Sequence, residues 1–478
     1  MRTPTELYKP SLALGTDLYQ LTMASGYWSL GRHEDEAVFH LFFRRNPFGG
    51  GYAVAAGLEQ VVDFLANWRL DEADLDYLRS LTGADDRPLL APGFIDWLRD
   101  TPLNVSVDAV PEGTVVYPHE PLLRVRGPLA WCQLIETPLL TLVNFATLIA
   151  TKAARITRAT AGEPVLEFGL RRAQGVDGGL AASRAAYLGG CAGTSNVLAG
   201  RVHGIPVRGT HAHSWVMSFD SELEAFDAYA DAMPNNCVLL VDTYDTLRGV
   251  ERAVEVGRRL RERGHELIGV RLDSGKLAEL SIEARRILDD GGFPDAAVVA
   301  SNDLDEHAVG KLKAAGARIG VWGIGTKLVT AYDQPALGGV YKLAGIRQGD
   351  AWSWKVKLSE DPIKVSNPGL LQIRRFDEAD VLYNAADPPT HWRSVDLADG
   401  TVRDHEGGED LLVPAVIDGG PQPLPSLADA RARCAEQVAA LPDSIARLSG
   451  PHYRPVALAQ PLHDLKARLI AEARETDR

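Results

Sequence analysis

The sequence predicts an α/β chain with an irregular (β/α) barrel at its centre, and three observations lead there. Apolar, β-branched runs recur at Val165–Phe168, Cys237–Val241, Leu267–Leu272, Ala297–Ala300 and Arg318–Trp322. Charged amphipathic segments lie between them, at Arg248–Arg263, Lys276–Leu288 and Glu306–Ala315. The alternation repeats about every thirty residues, the rhythm of βα units around a parallel sheet. The runs are mostly apolar instead of alternating, as expected of strands buried on both faces. A doubly wound sheet is the alternative; it would be favoured by a Gly-x-Gly-x-x-Gly turn after its first strand, and none follows Phe168.

Taken in order, the first region runs to about residue 150 and mixes strands with helices. Ala37–Phe43 and Tyr52–Ala56 are strand-like, and Gly57–Trp68 has helical spacing, with Leu58, Val61, Val62 and Leu65 on one side. Thr114–Tyr117 and Leu122–Val125 read as a hairpin, separated by Pro118 and Pro121. Leu139 to Ala150 reads as a buried helix, its apolar run too short to span a bilayer. The barrel is expected over 151–335. Strands then return at Val340–Ala344 and Trp352–Leu358, completing the first domain with about 340–400. The tract Pro414–Pro425 leads into a tail, 400–478, expected to be helical and to pack on the first domain.

Composition bounds the function. The 478 residues are 45% hydrophobic and 24% charged, ordinary values for a soluble globular chain of two or three domains. The net charge of −14 argues against broad nucleic-acid binding, which needs a basic surface, but leaves room for a local basic pocket. The four cysteines form no Cys-x-x-Cys pair, which disfavours a zinc ribbon and fits a reducing, cytoplasmic setting. Met1–Glu6 has no apolar core behind it, so no signal peptide is read there, and no basic amphipathic helix suggests a membrane surface.

In a parallel barrel the chemistry sits where the strands end. Six consecutive strand ends here carry polar or glycine-rich groups: Gly169-Leu170-Arg171-Arg172, Gly209-Thr210-His211-Ala212-His213-Ser214, Asp242-Thr243-Tyr244-Asp245, Arg271-Leu272-Asp273-Ser274-Gly275, Ser301-Asn302-Asp303 and Gly323-Ile324-Gly325-Thr326-Lys327. The two imidazoles can serve as nucleophile, base or metal ligands, or be an idle surface pair. Arg171 and Arg271 can each grip a planar carboxylate or phosphate. Asp242 and Asp273 can orient hydroxyls, hold Mg²⁺ or stabilise positive charge. Asp245 reads better as a helix N-cap. Gly323–Thr326 offers bare N–H groups and a hydroxyl where barrels often hold a phosphate. The residues read as an enzyme acting on a phosphorylated sugar together with a small anion.

Together with Thr16-Asp17-Leu18-Tyr19-Gln20-Leu21-Thr22-Met23, Phe42–Gly50 and Glu167–Gly175, the segments Gly209–Ser214, Val270–Gly275 and Gly323–Thr326 resemble the nicotinate phosphoribosyltransferase family in order and spacing. The resemblance implies nicotinate, phosphoribosyl pyrophosphate (PRPP) and ATP as substrates, Mg²⁺ on the pyrophosphate, and a homodimer with active sites at the subunit interface. It implies an irregular barrel plus an α/β (α+β) domain formed by N-terminal and later segments. Carried over, His213 is the histidine that ATP phosphorylates, which displaces the zinc reading, and Asp242 and Asp273 face the ribose. Phe168 and Tyr19, the latter from the other subunit, sandwich the pyridine. Arg171, Thr210 and Arg271 hold the carboxylate. Ser301, Asp303, Gly323, Gly325 and Thr326 serve PRPP, the last three its 5′-phosphate. Arg44, Arg45, Lys357 and Lys364 match cationic positions for pyrophosphate or ATP. His211 matches a variable position and receives no role.

One departure stands out. The family usually reads Asp-Ser-Gly-Asp, and this chain has Asp273-Ser274-Gly275-Lys276. Nicotinamide phosphoribosyltransferase is the nearest rival, disfavoured by Ser195 where such enzymes place an aspartate near the amide. A non-catalytic pyridine or nucleotide binder is the rival of another class; Lys276 speaks for it, and His213, Asp242, Asp273 and Arg271 speak against it.

Overall fold

The computed structural model describes residues 12–476; Met1–Glu6 lies outside the described residues. The chain divides into two compact units, 1–148 with 336–478, and 149–335.

The first unit is built mostly on antiparallel pairing, with Asp380–Asn384 and Val456–Ala459 its one parallel pair among the described strands. Its seven-stranded sheet runs Ala351–Trp354, Val340–Gln348, Glu36–Phe42, Leu123–Pro128, Ser106–Ala109, Val413–Ile417, Gly420–Pro421. A six-stranded sheet runs Val402–His405, Trp392–Asp396, Val456–Ala459, Asp380–Asn384, Leu371–Arg375, Glu409–Asp410. The helix Leu58–Ala66 buries Leu58, Val61, Val62 and Leu65, as its spacing predicts. Gly57 enters it with φ 101°, and a Cβ there would come within 2.7 Å of the Leu142 carbonyl, so only glycine fits.

Three expectations are corrected here. The two stretches around Pro118 and Pro121 form no hairpin. Val115–Val116 pairs with Ala53–Val54, whereas Leu123–Pro128 lies between Glu36–Phe42 and Ser106–Ala109. Each proline lacks the N–H that a ladder needs, and His119 between them takes φ 73°. The segment after 400 is not simply helical: besides the helices Leu427–Ala440 and Gln460–Thr476 it supplies strands to both sheets. Pro414 sits at a register shift against Ser106–Ala109, where a proline costs no ladder bond. The apolar run near Leu139 belongs to a helix of 25 residues, Glu136–Thr160, long and apolar enough to cross a bilayer. Its most apolar window is 72% buried inside the protein, the mark of a core helix.

The second unit holds a wholly parallel sheet, in the order Gly193–Thr194, Val165–Glu167, Val321–Ile324, Ala297–Ala300, Gly269–Leu272, Val238–Leu240. Helices Thr246–Glu262, Leu277–Asp290 and Glu306–Ala314 follow successive strands. The first buries Val250, Ala253, Val254, Gly257 and Leu260 along one stripe. Asp245 caps it, its carboxylate accepting the Arg248 N–H at 2.9 Å. The barrel is irregular because the gap between the edge strands is spanned by a loop. Thr194 bridges Val207 on one edge, and the Leu240 N–H on the other donates to His211 Nε2 at 3.2 Å.

Candidate active site

Because every strand of this sheet points the same way, their carboxyl ends gather Gly169, Ser195, Asp242, Asp273, Ser301 and Gly325 at one end. Arg271 organises that end. Its Nε donates to Ser301 Oγ at 3.0 Å, Nη1 to Thr210 Oγ1 at 3.2 Å and Nη2 to Asp273 Oδ1 at 3.4 Å. Ser301 Oγ in turn donates to Asp273 Oδ1. Asp242 Oδ2 accepts the Asp273 N–H at 2.8 Å and the Ser274 hydroxyl at 2.6 Å. Three strand ends and the histidine loop are thus tied into one network. Three of the five guanidinium N–H groups of Arg271 are engaged, and the other two remain for an anion.

His213 opens the short helix His213–Met217. Its Nδ1 meets Thr243 Oγ1 at 3.1 Å, and its Nε2 lies 4.0 Å from both Asp242 Oδ1 and Asp273 Oδ2. The imidazole is 41% exposed, while the Asp242 side chain is 1% exposed. Asp242 Oδ1 is a buried acceptor with no hydrogen-bond donor, and such an atom is costly unless a cation or donor reaches it.

Phe168 lies over Gly323, where a Cβ would come within 2.7 Å of the ring, and the Arg271 guanidinium stands 5.8 Å from its centroid. Glu167 fixes the turn that carries it: this buried carboxylate accepts the Gly169 N–H, the Ser183 hydroxyl at 2.8 Å and the Thr194 hydroxyl at 2.6 Å. Gly323 falls within the strand Val321–Ile324, so Gly325 and Thr326 make the turn after it. Asn302 and Asp303 both take positive φ, 107° and 38°, local strain at the end of a strand. Arg171 is exposed on the turn Leu170–Arg172 and is not one of the hydrogen-bond partners of Arg271.

The remaining predicted residues lie in the first unit. Tyr19 is exposed on the helix Leu18–Ser29. Arg45 is exposed; Lys364 lies 3.5 Å from Asp361; burial holds Arg44 below its usual range, and its Nε has no hydrogen-bond partner. Sequence reasoning missed three further basic side chains beside them. Burial lowers the pKa of Lys342, opposed by Glu136 and aided by Arg44 and Lys357. His119 is lowered to about 4 by burial, then by Lys466 and Arg44. Lys466 is pushed down to about 8 by burial and donates to Asn367 Oδ1 at 2.8 Å. Lys342 was legible as the one charge in the strand opening Val340-Tyr341-Lys342-Leu343-Ala344. Thr243 was visible as a strand end but drew no role.

Among the described residues no group of three or more His, Cys, Asp or Glu side chains could hold a metal ion. Lys276 is 80% exposed and pairs with Glu279 at 3.3 Å. At position 195, the Ser195 hydroxyl donates to the Glu167 carbonyl at 3.4 Å.

Comparison with known proteins agrees with this geometry. The models of the nicotinate phosphoribosyltransferase N-terminal and C-terminal domains match residues 14–144 and 377–466. The chain is 49% identical over 367 residues to nicotinate phosphoribosyltransferase of Bacillus subtilis, covering 77% of this chain and 73% of that one. It is 42% identical over 463 residues to the Mycobacterium tuberculosis enzyme, covering 96% and 94%. The crystal structure of human nicotinic acid phosphoribosyltransferase superposes with a TM-score of 0.82 at 35% identity, over 95% of this chain and 99% of that one. A barrel-end histidine among carboxylates, a hydrogen-bonded cluster centred on Arg271 and relatives matching along nearly the whole length lead to one conclusion: the chain belongs to the nicotinate phosphoribosyltransferase family.

Proposed function

We propose that the protein makes nicotinate mononucleotide and pyrophosphate from nicotinate and PRPP in NAD salvage, coupled to ATP through a phosphohistidine at His213. The observation that carries this reading is the placement of His213 Nε2 4.0 Å from two carboxylates, beside the Arg271 network.

With Nδ1 engaged by Thr243, Nε2 is the attacking atom. The Nε2–P bond forms to the γ-phosphorus of ATP as the P–O bond to ADP breaks. Positive charge develops on the ring, and Asp242 and Asp273 stabilise it. The phosphohistidine favours productive PRPP binding and is later hydrolysed to phosphate. Nicotinate lies against Phe168, with Tyr19 of a second copy on its other face. Its carboxylate takes the two free donors of Arg271, helped by Arg171 and Thr210. Gly323, Gly325 and Thr326 hold the PRPP 5′-phosphate, with Ser301 and Asp303 at the ribose side. As the anomeric C–O bond breaks, the sugar becomes cationic and Asp242 and Asp273 face it; nicotinate nitrogen forms the new bond to C1. Arg44, Arg45, Lys357 and Lys364 receive the departing pyrophosphate or the ATP phosphates. Mg²⁺ suits this donor set as a passenger on the pyrophosphate, since that ion takes few protein carboxylates and prefers phosphate oxygens. Holding both substrates in line lowers the barrier by up to about 7–11 kcal/mol. A homodimer and a cytoplasmic setting complete the reading, the latter suited to four buried cysteines outside any disulfide.

The test is a product assay with PRPP, Mg²⁺ and either nicotinate or nicotinamide, with and without ATP, read by mass spectrometry. Nicotinate mononucleotide with ATP hydrolysis is expected. A preference for nicotinamide would overturn the acceptor, and no nucleotide from either base would overturn the activity.

A further inference from the structure

We infer that His211, two residues before His213, is a positioning residue that sets the geometry of His213 by serving as a substitute strand at the barrel's open edge. The inference rests on the reading of His213 as the phosphorylated group.

Val238–Leu240 is an edge strand, paired on one side only with Gly269–Leu272. The Leu240 N–H points to the open side, where the next strand's carbonyl would stand in a closed barrel. His211 Nε2 stands there instead, accepting that N–H at 3.2 Å. An accepting Nε2 requires the proton on Nδ1, which faces the Ala212 carbonyl at 3.3 Å. His211 therefore holds the backbone on both sides of its ring: the sheet edge through one nitrogen and its own loop through the other. Burial keeps the ring neutral, its pKa down to about 4, with Arg271 and His213 adding to that effect. Tyr229 packs edge-on against it at 4.6 Å and Phe226 lies 6.3 Å away. Asn236 Nδ2 adds a bond to the Gly209 carbonyl at 3.2 Å.

The consequence is geometric. His213 meets Thr243 two residues after His211, and Thr243 lies three residues after Leu240. The His211–Leu240 and His213–Thr243 bonds are successive stitches between the same two segments. Without the first, the loop loses its tie to the strand that presents Asp242 and Thr243. Displacements near 1 Å are enough to cost about a hundredfold in rate.

The test compares His211→Leu, His211→Gln and His213→Ala for phosphoryl transfer from γ-labelled ATP, for ATP-stimulated and ATP-independent nucleotide synthesis, and for melting temperature. Glutamine can place its Oε1 where Nε2 stands; leucine cannot accept. His211→Leu is expected to lower phosphoryl incorporation and ATP-stimulated kcat by about ten- to a hundredfold, with KM for nicotinate within about twofold and His211→Gln recovering most of the loss. Wild-type phosphoryl incorporation per folded His211→Leu molecule would overturn the inference, as would equal loss in the leucine and glutamine variants. Unchanged ATP stimulation in His213→Ala would instead remove the phosphohistidine reading itself. If His211→Leu does not fold, ¹⁵N-histidine spectra of the wild-type protein decide: the Nδ1–H tautomer is expected at His211, and an Nε2–H tautomer there overturns the inference.

Discussion

The barrel end and the basic cluster of the other unit are built on opposite principles. At the barrel end, Arg271 is bonded to Ser301, Thr210 and Asp273, and the carboxylates are bonded to one another's backbone and hydroxyls. In the other unit, burial lowers Arg44, Lys342, His119 and Lys466; Arg44 and Lys357 add to the effect on Lys342, Lys466 and Arg44 add to that on His119, and Glu136 and Asp361 oppose it at Lys342 and Arg44. The first region is preorganised, its charges balanced before any substrate arrives. The second gathers basic side chains with fewer acids beside them, a condition that favours attracting a polyphosphate. Geometry should therefore govern the first and salt the second.

The largest expected effect is His213→Ala, which should abolish ATP-stimulated synthesis while leaving slow PRPP-dependent synthesis; full ATP stimulation would break the contrast at its root. Arg271→Ala comes next. It removes three hydrogen bonds at once and should lower kcat/KM for nicotinate by about a hundredfold, with little dependence on ionic strength; wild-type kinetics would remove Arg271 from the site. Lys357→Ala should act in the opposite style, raising the KM for PRPP or ATP by about fivefold at low salt, an effect that fades as screening rises. A salt-independent loss in kcat would mean that this region too is preorganised.

A smaller effect concerns pH. Burial lowers His119 and His211 to about 4 from an ordinary 6.5. The folded state refuses protons that the unfolded chain accepts. Stability is fully present above about 6.5 and is lost as pH falls toward 4, with each histidine contributing on the order of 2 kcal/mol at pH 5. Urea titrations at pH 7 and pH 5 should show this loss, reduced in His211→Gln; equal midpoints would contradict it. The smallest effect is Lys276→Asp. Lys276 sits at the N-cap of Leu277–Asp290 without a side-chain cap, and aspartate there should raise stability by about 0.5–1 kcal/mol. No gain in melting temperature would mean that the exposed lysine is held by something other than Glu279.

The barrel end was the more legible of the two regions, and the reason is physical. A parallel strand buried on both faces writes a continuous apolar run, and its end is marked by the first polar residue; Asp242, Asp273 and Ser301 were readable that way. The antiparallel unit writes weaker signals. Its strands Val402–His405 and Glu409–Asp410 are short and polar, and Val456–Ala459 reads like the start of the helix that follows. The hairpin reading at Pro118 and Pro121 failed because local turn chemistry says that a chain reverses, not which strand it pairs with. The role of His211 was invisible for a similar reason: its partner is a main-chain N–H, and sequence does not record which N–H groups a sheet leaves open.

The order in which the sheet strands appear along the chain has a consequence for biosynthesis. The barrel, 149–335, is one uninterrupted stretch, whereas the six-stranded sheet of the other unit places Val456–Ala459 between Trp392–Asp396 and Asp380–Asn384. On the ribosome the barrel is complete while the first unit still lacks its whole second segment, 336–478. At elongation rates of about 5–20 residues per second, Glu36–Phe42 waits many seconds for Val340–Gln348, and Ser106–Ala109 waits longer for Val413–Ile417. The exposed edge of Glu36–Phe42, unpaired until Val340–Gln348 emerges, is where a nascent chain of this protein most needs a chaperone.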